Sequence, residues 1–277
     1  MKRIFILWLL IASTSSAFSQ NLSLYQKHWF NQSGDTLPYR ILLPENYTPN
    51  KTYPLIFFLH GRGESGSDNE KQLSNGAALF LRDSVRKAFP AIVVFPQCGS
   101  TNYWSNVQTI MEGTSNSPRS FYFIPGGDPS PSMRLLTQLV DNIMLRYRIN
   151  KQQVYVGGLS MGGMGTFELV RRKPGVFAAA FAICGGAHPA TASQLKTTAW
   201  WIFHGLKDDV VPPEKSEVIA KALKRAGAKV KLTLYPDANH NSWDPAFNEP
   251  GFMKWLFSQR LANNRVIPGP LSEDPNH

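Results

Sequence analysis

The chain has 277 residues, of which 43% are hydrophobic, 12% aromatic and 17% charged. That balance excludes intrinsic disorder, which requires low hydrophobicity and high net charge. Two cysteines in a chain this long also exclude a disulfide-stapled miniprotein, because the length suffices for a real core. The formal net charge of +10 leaves room for a nucleic-acid binder, a membrane-surface protein or a protein that handles acidic polymers.

Lys2 and Arg3 precede an apolar run from Ile4 to Ala12 and a Ser/Thr-rich stretch to Ser19. A basic start, a short apolar core and small residues at Ala17 and Ser19 describe a secretory signal peptide cleaved before Gln20. The run is too short to span a bilayer, and no cysteine follows it to carry a lipid anchor. The expected organisation is therefore a leader over 1–19, one catalytic domain over 20–263 and a Pro-rich flexible tail over 264–277. The mature protein would be periplasmic or extracellular, and losing Lys2 and Arg3 lowers its charge from +10 to +8 (10 − 2).

Tyr25–Asn31 and Leu37–Leu43 flank Ser33-Gly34-Asp35, the pattern of an antiparallel hairpin. Beyond it, short apolar runs bounded by Gly and Pro predict strands at Leu55–His60, Ala91–Pro96, Val154–Gly157, Phe177–Ile183, Trp200–His204 and Val230–Tyr235. Helices are expected at Glu70–Phe89, Pro131–Tyr147, Met161–Lys173, Pro213–Ala226 and Pro245–Arg260. This alternation reads as an α/β fold with a mostly parallel sheet and helices on both faces. From Gly99 to Pro131 no periodicity is visible, but Tyr103, Trp104, Phe121, Tyr122 and Phe123 make it an expected packed loop beside a site.

Gly158-Leu159-Ser160-Met161-Gly162 lies between a strand and an amphipathic helix, the context of a nucleophile elbow. No Gly-Lys-Ser/Thr follows, so a Walker loop is excluded, and the glycine spacing of a dinucleotide site is missing. A serine hydroxyl needs a base, and the base needs a carboxylate to fix its tautomer. In this architecture the order is serine, acid, histidine. Among the six histidines, His28 and His60 precede Ser160, His188 and His204 precede the acid, and His277 is in the tail, so His240 is the candidate base. Asp208 is the candidate acid; its neighbour Asp209 points elsewhere and is expected to cap the helix opening near Pro213. The oxyanion donors are assigned to the backbone N–H groups of Met161 and Arg62, and His60 to a structural hydrogen bond.

Leu59-His60-Gly61-Arg62-Gly63-Glu64-Ser65-Gly66, Phe95-Pro96-Gln97-Cys98, the elbow, His204-Gly205-x-x-Asp208-x-x-Val211-Pro212 and His240-Asn241-Ser242-Trp243 occur in this order. Together they resemble the phospholipase/carboxylesterase group of the α/β-hydrolase superfamily, and the related secreted feruloyl-esterase and polyhydroxybutyrate-depolymerase-like enzymes. The resemblance runs from about Tyr39 to Arg260 and implies an eight-stranded α/β-hydrolase sheet with an N-terminal edge hairpin. It also implies triad roles for Ser160, Asp208 and His240 and an oxyanion hole at Arg62 and Met161. The strand order it implies sets Cys98 and Cys184 about three spacings of ~4.8 Å apart, beyond the roughly 7 Å a disulfide tolerates, so two free, mostly buried thiols are expected.

The expected reaction is hydrolysis of a carboxylic ester, with feruloyl or acetyl esters of plant polysaccharide as candidate substrates and Trp104 and Trp243 as candidate substrate-binding rings. A serine peptidase or a lysophospholipase on the same scaffold, or a non-catalytic binding protein, are the alternatives. No metal or organic cofactor is expected, because His and Cys are few and dispersed. Arg171-Arg172-Lys173 and Lys221–Lys231 sit on predicted helix faces and ends without interleaved stacking residues, so no nucleic-acid partner is expected. No apolar run reaches the ~20 residues of a spanning helix, so no stable membrane anchor is expected either.

Overall fold

The computed structural model describes residues 21–111 and 119–261. The expected leader and the tail beyond Asn263 lie outside these residues. Strands β1 (Gln26–Gln32) and β2 (Asp35–Leu42) form the antiparallel hairpin, turning through Ser33 and Gly34, both at positive φ. They are followed by β3 (Tyr53–Leu59), helices α1 (Ala77–Leu81) and α2 (Asp83–Ala88), and β4 (Ile92–Pro96). Strands β5 (Val107–Met111) and β6 (Arg119–Phe123) pair only with each other. Helix α3 (Pro131–Arg146), β7 (Ile149–Leu159), α4 (Met161–Arg172), β8 (Ala179–Ile183), the short α5 (Ala192–Leu195) and β9 (Ala199–Gly205) come next. The described chain closes with α6 (Glu214–Arg225), β10 (Val230–Tyr235), α7 (Trp243–Ala246) and α8 (Phe252–Ser258).

The main sheet has eight strands in the order β1-β2-β4-β3-β7-β8-β9-β10, parallel from β4 onward, with the hairpin antiparallel at one edge. This is the α/β-hydrolase architecture. Its central strands are apolar on both faces, as strands covered by helices on each side must be. Along β3, Leu55, Phe57 and Leu59 enter one core, while Ile56 and Phe58 enter the other. The first core is covered by α3, α4 and α6, the second by α1, α2 and α8. At the far edge, the Lys231 ammonium lies 3.5 Å over the ring of Trp201 on the neighbouring β9. No helix among the described residues is long and apolar enough to cross a membrane.

Three expectations are corrected. The helix expected over Glu70–Phe89 is broken into a 3-10 turn (Lys71–Leu73), α1 and α2, because Gly76 takes φ +86° and Arg82 an extended conformation. Likewise Pro245–Arg260 divides into α7 and α8 around Gly251, at φ +77°. The stretch from Gly99 to Pro131 is not wholly irregular, since β5 and β6 lie within it. Helix α3 begins one residue after Ser130, whose hydroxyl accepts from the Met133 N–H, an N-cap followed by proline as capping rules require.

Both cysteines are free and buried, as expected. Strands β3 and β7 separate the strands that precede them, and Cys98 and Cys184 enter opposite cores.

Candidate active site

Strand β7 ends at Leu159 and α4 begins at Met161, leaving Ser160 alone to reverse the chain at φ 53°, ψ −119°. A non-glycine residue at positive φ is strained, and such strain concentrates at functional positions. The flanking glycines permit the turn. A Cβ on Gly162 would sit 1.9 Å from the Leu59 carbonyl oxygen, and one on Gly158 would sit 2.5 Å from the Gly162 oxygen. The Ser160 N–H is anchored on the Ile183 carbonyl of β8 at 2.8 Å.

At the same end of the sheet, the Ser160 hydroxyl lies 2.9 Å from His240 Nε2 and can donate to it. His240 Nδ1 lies 3.0 and 2.9 Å from the two carboxylate oxygens of Asp208 and donates to them. His240 follows β10 and Asp208 follows β9, so three loops at the carboxyl ends of parallel strands converge. The Asp208 side chain is fully buried, whereas His240 keeps 20% exposure. Asp208 Oδ1 also accepts from the Val210 and Val211 N–H groups at 3.0 and 2.9 Å. Burial pushes the Asp208 carboxyl up, but hydrogen bonds from His204, His240 and the Val211 N–H outweigh it and hold the acid well below the ordinary carboxylate range. A hydroxyl, an imidazole and an ionised carboxylate in line can withdraw the serine proton as the oxygen attacks a carbonyl.

Met161 is the first residue of α4, so its N–H has no partner inside the helix. Arg62 opens a 3-10 turn (Arg62–Glu64) directly after Gly61, and a Cβ on Gly61 would lie 3.6 Å from Ser160 Cβ. The two N-termini thus lie beside the serine. The Arg62 guanidinium donates to the Asn102 and Ser100 carbonyls at 2.8 and 2.5 Å and stacks 4.7 Å from the Tyr103 ring, bracing that loop. His60 is buried: its Nδ1–H donates to the Gly61 carbonyl at 2.6 Å and its Nε2 accepts the Cys98 N–H at 2.9 Å. Burial, opposed by the Gly61 hydrogen bond, lowers its pKa to about 4, so the ring is neutral at ordinary pH.

The two candidate substrate-binding tryptophans part company. Trp243 is half-buried, with its ring edge-on to His240 at 5.6 Å. Trp104, in contrast, is 0% exposed: it lies beneath Gly165 of α4 and against His60, and a ring packed there cannot meet a substrate. Asp209 does not cap α6 either; Pro213 holds the cap position without a side-chain bond, and the Asp209 N–H donates to Asn239. Two residues behind the acid escaped the sequence reading. Cys184 brings its sulfur within 4.8 Å of the Asp208 and His240 ligating atoms, and His204 Nε2 lies 3.1 Å from Asp208 Oδ2.

The β5–β6 hairpin folds over this end of the sheet. Phe121 packs with Met164, one turn after Ser160, and with Val211, whose N–H binds Asp208. Between the hairpin and α6 opens a cleft of about 340 Å³ lined by Phe121, Tyr122, Phe123, His188, Pro189 and Val218.

The sequence profile of the Phospholipase/Carboxylesterase family matches residues 47–249, which contain every residue just described. The chain belongs to the phospholipase/carboxylesterase family. Within reach of this hydrolase family, it is 28% identical over 183 residues to a bifunctional acetylxylan esterase/xylanase of Neocallimastix patriciarum, covering 65% of this chain and 23% of that protein. It is 25% identical over 176 residues to a probable feruloyl esterase C of Aspergillus oryzae, covering 63% of this chain and 56% of that one. The chain therefore spans between about a quarter and just over half of these relatives. The crystal structure of a thermostable esterase superposes with a TM-score of 0.74 at 30% identity, covering 86% of this chain and 63% of that one.

Proposed function

We propose that this family member is an exported serine esterase that hydrolyses carboxylic esters through an acyl-enzyme. The observation that carries the reading is the continuous line of hydrogen bonds Ser160–His240–Asp208 at 2.9 and 2.9 Å. Ser160 Oγ attacks the ester carbonyl while His240 Nε2 takes its proton. The tetrahedral oxyanion accepts from the Met161 and Arg62 N–H groups, and His240 then protonates the leaving alcohol. Water enters, gives its proton to His240 and attacks the acyl carbonyl, releasing the acid and restoring Ser160. Asp208 stays ionised throughout and holds the His240 tautomer.

The preferred substrates are feruloyl or acetyl esters of plant polysaccharide. Support comes from the two relatives, an acetylxylan esterase and a probable feruloyl esterase. The cleft between hairpin and α6, with three aromatic rings beside Glu214 and Lys215 and no triad residue in its wall, is the candidate seat for a hydroxycinnamoyl ring. Export rests on the basic and apolar start of the chain. The test is a panel of p-nitrophenyl esters with methyl ferulate and a peptide p-nitroanilide, run on wild type beside Ser160→Ala. Ester turnover that falls by roughly a thousandfold or more in the variant is expected. Amide hydrolysis without ester hydrolysis would place the enzyme among peptidases, and full activity in Ser160→Ala would remove the serine from its role.

A further inference from the structure

His204 is the last residue but one of β9, four residues before Asp208, and none of its side chain reaches solvent. Chain order excludes it from the base role, yet its ring faces three oxygens. Nδ1 lies 2.7 Å from Ser216 Oγ on α6, and Nε2 lies 2.9 Å from the Val211 carbonyl. Asp208 Oδ2 is 3.1 Å from the same Nε2, off the line of the bond to Val211. Ser216 Oγ is itself 2.8 Å from the Gly185 carbonyl.

Counting protons decides between the forms of this ring. Carbonyl oxygens only accept, and a serine hydroxyl has one proton to give. If Ser216 donates to Gly185, its oxygen can engage Nδ1 only as an acceptor, so Nδ1 carries a proton. The Val211 carbonyl and the Asp208 carboxylate likewise require a proton on Nε2. A ring with one proton would set two lone pairs face to face at 2.8 or 2.9 Å, where no water offsets the loss.

We propose that His204 carries a proton on both ring nitrogens and serves as a positioning residue for Asp208, an imidazolium set behind the carboxylate that orients His240. The role assigned to His240 rests on the esterase reading; the proton count does not. Asp208 is then clamped between two imidazoles, its buried charge paired on one side and at work on the other. A cation behind the carboxylate repels a second cation on the far imidazole, so removing it is the change to which the acid limb of activity should respond. The groups facing His204 are Asp208 and Val211 from the loop that follows β9, Ser216 from α6 and Leu234 of β10, while Cys184, directly after β8, and His240 lie beside Asp208. Burial and the Asp208 charge push the Cys184 thiol up, so it stays uncharged.

The decisive experiment is two-bond 15N–1H correlation on histidine-labelled wild type from pH 5 to pH 9, with the His204 signals assigned by their loss in His204→Gln. Both nitrogens are expected at protonated shifts across the range; one bare nitrogen overturns the proposal. This readout needs no turnover and stands even if no ester is cleaved; should His204→Gln fold poorly, the loss of the Nδ1 partner in Ser216→Ala marks the same signals. The second readout is the pH profile of kcat/KM on p-nitrophenyl acetate for His204→Gln and for the milder Ser216→Ala, which removes the Nδ1 acceptor. The acid limb is expected to move up by about one pH unit. A uniform loss at every pH with an unmoved limb would reduce His204 to packing and overturn the positioning role.

Discussion

Gly162 leaves no space for even a methyl group, because backbone rather than a movable side chain occupies it: the Leu59 carbonyl would lie 1.9 Å from the new carbon. Gly162→Ala is expected to cost about 3 kcal/mol or to prevent folding, read from urea unfolding at pH 7. His60 gives a pH-dependent term with a definite sign. Its folded pKa of about 4 lies below the ordinary 6.5, so between those values the unfolded chain binds the extra proton. Stability therefore falls as pH drops from 6.5 towards 4 and levels off below, by about 3 kcal/mol in all. The difference between wild type and His60→Asn in urea midpoints at pH 7, 5 and 4 isolates that contribution. That Ser160, Asp208 and His240 meet at one edge was legible in residue order, because loops at the ends of parallel strands deliver their side chains to the same side. Trp104 was misread for a physical reason: an aromatic in an irregular stretch has the same composition whether it is turned in or out. The closeness of His204 and Cys184 to Asp208 depends on loop paths that no periodicity reports.

Strands were easier to read than helices. Six apolar runs matched strands within a few residues, since a strand buried on both faces is apolar throughout. The helices expected at Glu70–Phe89 and Pro245–Arg260 are divided at the left-handed glycines Gly76 and Gly251, which cap the N-termini of α1 and α8. Strands β5 and β6 were hidden because a two-stranded ribbon half in water lacks a clean alternation. As an element, this ribbon supplies three neighbouring aromatics to the cleft it shares with α6. Tyr122, half-exposed at the cleft, is the one whose truncation leaves the packed pair Phe121 and Phe123 in place. In Tyr122→Ala, kcat/KM for methyl ferulate is expected to fall about tenfold, roughly one aromatic contact, with p-nitrophenyl acetate little changed. Equal losses on both esters would remove the cleft from substrate recognition.

Across the whole molecule, the two cores behave as closed compartments, and each holds one thiol. Burial pushes the Cys98 thiol up to about 11, opposed by Ser132 and Arg62, and Cys184 is raised as well. Neither is expected to react with Ellman's reagent in the native protein, and both should react together once urea unfolds the chain. The basic run that suggested an anion-binding face is paired within the protein: Arg171 and Arg172 both grip Glu168, and Lys173 grips Asp141. Those pairings follow from helix spacing and from α3 lying beside α4, which composition alone could not tell.

The lysine lying over Trp201 has a consequence for solubility. Among the described residues strand β10 is the last of its sheet, and an edge strand is the side on which another chain could pair. Lys231 sets its ammonium over the indole of the adjoining strand and so keeps a full charge at this edge. A second molecule approaching to extend the sheet would have to strip water from that ammonium or meet its twin. The border of the sheet thus guards itself against polymerisation while the opposite hairpin carries its own lysine, Lys27, paired to Glu70.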